Sequence, residues 1–192
     1  MDKGSQIMQS RQPPFLCFVQ RPKQAVLLGL SFAVLYALTF ALIGLNAVTP
    51  PILFVIPVAL FISVVDVMTY RIPDLCNLSV AALGLWHVSG RDVLSVHVVV
   101  ALSVGLMLWG FSAWYQHRFA RTGLGLGDVK FIAAATVWVG PLALPYMLLI
   151  ASSAGIVVAL VGRRQFVGDA GQIAVPFGPF LAFGFFVVVV AG

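Results

Sequence analysis

The chain has 192 residues, of which 61% are apolar and 9% charged, with a formal charge of +5 at pH 7. Its mean hydropathy is +1.05, and because soluble domains carry roughly 25% charged residues, a water-soluble globular domain is excluded. The basic excess does not point to nucleic acid, since the Lys and Arg residues fall between apolar runs that no duplex could reach.

A transmembrane helix needs about 20 apolar residues to cross about 30 Å of hydrocarbon. Residues 1–23, with Pro13 and Pro14, read as a cytoplasmic tail. From Gln24 to Val65 no residue is charged for 42 positions, which predicts two spans, about 25–45 and 52–69, broken at Asn46 to Pro51. The first is longer than the apolar region of a cleaved signal peptide, so it reads as an anchor. Further spans are expected over 75–89 and 93–115. The stretch 131–162 is too long for one upright helix and holds Gly140, Pro141 and Pro145, which predicts two spans joined by a tight turn. The last runs over 176–190. The expected fold is an all-α polytopic bundle of about seven spans, with an additional N-terminal span over 24–50 and a core over 51–192.

With the N-terminus in the cytoplasm, Lys3, Arg11, Arg21, Lys23, Arg71, Arg118, Arg121, Lys130, Arg163 and Arg164 all lie inside, and Arg91 alone lies outside. The positive-inside rule therefore selects this orientation. Cys17 and Cys76 are too few and too far apart for a disulfide framework or a paired zinc site, and read as ordinary thiols. His87 and His97 fall near the outer ends of spans, where packing or interfacial roles are expected. Trp86, Trp109, Trp114 and Tyr115 read as interfacial anchors.

There is no Glu, and the six Asp residues can be weighed singly. Asp2, Asp92 and Asp169 read as solvated. Asp66 lies inside an apolar run, where an ionisable side chain is by default a functional group facing the protein interior; the plainer alternative is an interfacial acid paired with Arg71. Asp128 ends GLGLGD, residues 123–128, whose glycines permit positive φ and close approach of another chain. A dinucleotide loop is excluded, because no βαβ unit exists here and the glycine spacing is wrong. A helix from Asp128 to Gly140 would rise about 18 Å, short of a full crossing, so Asp128 is expected below the membrane surface in a cavity-lining segment. Both acids then belong to the inner face.

Two neighbouring carboxyl groups share one proton, so one can take a proton from an attacking water while the other polarises a carbonyl oxygen. This is peptide hydrolysis without a covalent intermediate, and it requires no metal and no cofactor. Asp128 starts a helix and Asp66 nears the end of one, so the macrodipole suggests Asp128 as base and Asp66 as its protonated partner.

Asp66 with Arg71-Ile72-Pro73-Asp74, the GLGLGD run with Val129 and Lys130, and VPFGPFLAFG at 175–184 together resemble the type IV prepilin leader peptidases, membrane aspartyl proteases with a GxGD motif. The short forms serving Flp-type or tight-adherence pili are the nearest match, over about residues 52–190. The resemblance implies that Asp66 and Asp128 are the catalytic pair, cutting the short basic leader of a prepilin or pseudopilin at the cytoplasmic face of the bacterial inner membrane. Gly125, Gly127, Lys130, Arg71, Pro73, Pro176, Gly178 and Pro179 are the candidates for binding substrate or shaping the site. Asp74 stands where the family usually has Asn, and Pro73 should keep it in a solvated loop. Longer members carry a methylating domain with paired CxxC motifs; this chain lacks those cysteines, so methylation is not expected. Membrane lipids are the other expected partner, and the oligomeric state is not read from the sequence. The rival readings are a proton-coupled transporter, which would call for an inverted repeat that the sequence does not display, and a catalytically silent subunit of a secretion apparatus.

Overall fold

The computed structural model describes residues 22–43, 50–69, 71–119, 124–161 and 176–191. Among them the regular elements are helices: α1 (Pro22–Ile43), α2 (Pro50–Thr69), α3 (Asp74–Val88), α4 (Leu94–Phe119), α5 (Leu126–Val161) and α6 (Gly178–Ala191). Leu94–Phe119 and Leu126–Leu160 are long and apolar enough to cross a membrane. Residues 1–21 of the expected tail, Gly123, Arg163, Arg164 and Asp169 lie outside the described residues, whereas Pro22 and Lys23 already belong to α1.

α5 is broken at Gly140, with φ 70° and ψ −177°. That conformation suits glycine, and a side chain there would strike the His97 ring, 2.5 Å from Nε2. The break falls where the sequence calls for a tight turn. Packing against α6 establishes that the chain reverses there. Phe185 packs on Phe131 and Trp138, whereas Gly184 faces Met147 and Ala151, and Gly155 faces Phe177 and Phe180. Residues 141–161 therefore descend along α6 while 126–139 ascend.

The two arms of α5 and α6 form the centre of the bundle, with α3 and α4 against α5 and α2 against α6. α1 packs on α2 and α6, where Tyr36, 1% exposed, stacks edge-on with Phe183 and Phe186. The core is a single apolar cluster running from Phe32 through Ile62, Phe131 and Met147 to Phe186. Outside it, large apolar side chains such as Leu75, Leu106, Leu142 and Leu149 are exposed, a surface suited to hydrocarbon and not to water.

Candidate active site

Asp66 sits one turn before the end of α2 and is 4% exposed. Its Oδ2 accepts a hydrogen bond of 2.9 Å from the backbone N–H of Gly178. That amide is among the first of α6, which have no partner inside the helix, and Pro179 follows where a missing N–H is harmless. The Phe177 carbonyl accepts from Phe180 and Leu181 and closes the turn. A Cβ on residue 178 would stand 2.6 Å from Asp66 Oδ2, so only glycine lets α6 approach so near. Pro176 and Pro179 are buried beside it.

Asp128 is the third residue of α5 and half-buried. The Gly125 carbonyl accepts from Val129 N–H at 3.1 Å and opens the helix. The carboxylate folds back over Gly125, where a Cβ would lie 3.1 Å from Oδ2. Three attachments fix this segment. Ser112 Oγ of α4 donates to the Leu124 carbonyl at 2.9 Å. Gly127 packs against Ile72, with 3.4 Å between its Cβ position and the Ile72 backbone nitrogen. Lys130 Nζ pairs with Asp74 Oδ1 at 2.8 Å. The Gly-rich turn is thus laid on the loop that follows Asp66, which brings the start of α5 to the end of α2.

The alternative of an interfacial acid paired with Arg71 does not hold: Asp66 is buried against Gly178, and Arg71 is exposed. Other expectations change. Lys130, named as a candidate for shaping the site, pairs with Asp74, and the pair is 55% and 75% exposed. Asp74 is the first residue of α3 and not part of a loop, because the extended Pro73, at φ −61° and ψ 137°, starts the helix there and its carbonyl accepts from Cys76. The dipole argument no longer separates the two acids, since Asp66 faces the N-terminus of α6 as Asp128 faces that of α5.

Ser112, Ile72 and Ser63 escape a reading by charge. Ser63, one turn before Asp66, lies 3.3 Å from the Tyr36 hydroxyl and donates to Ala59. Asn77, 6% exposed on α3, was equally inconspicuous, a lone amide in an apolar run. At the far end of the bundle His97 Nδ1 lies 3.0 Å from the Val137 carbonyl, so that nitrogen carries the proton. His87 stacks on Trp138 at 4.7 Å. Both histidines are packing groups remote from the acids.

Residues 53–160 match the model of the type IV leader peptidase family. A protein of Pectobacterium carotovorum named prepilin leader peptidase/N-methyltransferase is 36% identical over 65% of this chain and 45% of its own. One of Escherichia coli K12 with the same name is 35% identical over 65% of this chain and 56% of its own. One from Burkholderia pseudomallei, also so named, is 35% identical over 65% of this chain and 41% of its own. The chain thus spans about half the length of these relatives. No solved structure matches it.

Proposed function

The chain belongs to the type IV leader peptidase family, and from that premise we propose that it is an aspartic endopeptidase of the bacterial inner membrane that removes the basic leader of prepilins or pseudopilins. Asp66 and Asp128 are the catalytic pair. They share a proton; one takes the proton of the attacking water while the other polarises the scissile carbonyl. The core over 51–192 carries the reaction, with the site facing the cytoplasm and lipid surrounding the bundle. A substrate whose first apolar helix stays in the bilayer would bring its cleavage point to that face.

One observation carries the reading. Two acids lie in apolar helices, where each is unfavourable alone, and the turn that carries Asp128 packs on the loop that follows Asp66. Gly178 supports it by orienting Asp66, as does the Gly125 turn under Asp128. The test is cleavage of a prepilin-like peptide by the purified full chain in detergent. Asp66→Asn and Asp128→Asn should each lower kcat by at least about 100-fold, the lower end for a general acid or base. Cleavage surviving in both variants overturns the proposal.

A further inference from the structure

Asn77 is buried, and neither its side-chain oxygen nor its nitrogen has a hydrogen-bond partner. An amide buried in this way is destabilising, and native structures rarely keep one without use.

Its position follows from the register of α3 against α5. Ile72 lies on Gly127, Asp74 on Lys130, and Gly84 on the Trp138 backbone. The two helices therefore ascend side by side. Asn77 is two turns below Gly84, about 10 Å along the axis, and on the same buried face of α3 as Val80 and Gly84. That puts it level with Phe131 of α5, one turn above Asp128. Helical side chains lean toward the N-terminus of their helix, which aims the amide down toward the level of the two acids.

A substrate cut here must be uncoiled at the cleavage point. Its peptide N–H and C=O groups then lose their helical partners where water is scarce, and need others. A carboxamide offers an acceptor and a donor side by side, the complement of a single extended residue. Resting on the peptidase reading above, we propose that Asn77 is a substrate-binding residue whose side-chain oxygen accepts a peptide N–H, and whose nitrogen donates to a peptide C=O, of the uncoiled segment beside the scissile bond.

The test uses the full chain in detergent, its Asn77→Leu variant, and prepilin-like peptides in which one amide at a time near the cut is replaced by an ester, which removes the N–H. Asn77→Leu should melt at or above the wild-type temperature, because the unpaired amide is gone. Its kcat/KM should fall about tenfold, mostly through KM, the size of one hydrogen bond. One ester should cost the wild type a similar factor and cost Asn77→Leu less than about twofold. Were the amide merely structural, Asn77→Leu would raise stability without this interplay. If Asn77→Leu does not fold, Asn77→Ala, which likewise neither donates nor accepts, is put through the same ester comparison. Wild-type kcat/KM in the variant, or equal ester penalties in both proteins, overturns the role of Asn77 alone. A wild-type chain that cuts no peptide, with Asp66→Asn and Asp128→Asn equally silent, overturns the peptidase reading together with it.

Discussion

Asp66 and Gly178 act as one unit although 112 positions separate them. A methyl group on residue 178 would meet Oδ2 at 2.6 Å and Cγ at 2.7 Å, so either the carboxylate turns away or α6 retreats. Gly178→Ala is therefore expected to lower kcat/KM by about 100-fold, the effect of displacing a reacting group by about 1 Å, in the peptide assay. The Lys130–Asp74 pair is a contrast at the same scale. It is exposed on both sides, and Asp74→Asn should change unfolding free energy by less than about 1 kcal/mol, as measured by denaturation in mixed micelles. The acids were legible in the sequence because a charge in a long apolar run stands out against its neighbours. The Gly178 contact was not, since a glycine that yields space to a distant carboxylate looks like any helix-starting glycine. Asn77 was missed for a related reason: whether an amide is satisfied depends on the neighbouring helix.

Among the elements, α5 depends on its break. At Gly140 the backbone is left-handed and the His97 ring occupies the space a side chain would need. Gly140→Ala is expected to destabilise the chain by about 1–3 kcal/mol, read as a lower thermal midpoint. The interruption was legible from Gly140 and Pro141, and so was the shortness of the arm that begins at Asp128. That arm, 126–139, rises only about 20 Å. What local sequence could not supply was the field around Asp66. Its own helix ends nearby, but α6 begins against it, and only the packing of α2 on α6 reveals this. The helix following Pro73 begins one residue after it because an extended proline at the cap leaves its carbonyl free to accept from α3.

Across the whole molecule, the loop holding Arg71 and the start of α5 share one end of the bundle, and the turn with Gly90 and Arg91 lies at the other, since α3 runs between them. The sidedness derived from charge is then testable. In a background with Cys17 and Cys76 replaced by Ser, Arg71→Cys should be labelled by a membrane-impermeant maleimide only after the cells are opened. Arg91→Cys should react in intact spheroplasts; the reverse pattern would refute the orientation. The helical architecture of the described residues was legible because apolar runs of this length leave the backbone few other ways to satisfy its hydrogen bonds in lipid. The place of α1 was not, as an apolar helix bears no mark of which neighbour it will choose; Tyr36 decides it by wedging between α2 and α6.

Gly184 has consequences for how the bundle could admit a guest. A Cβ there would press within 2.5 Å of the Met147 carbonyl, so α6 and the descending arm of α5 mesh backbone to backbone and have no slack to slide. α4 leans chiefly on α5, with Ser112 fastening it near the Gly-rich turn. The backbone seam at Gly184 therefore holds α6, and with it the Gly178 amide on Asp66, in place.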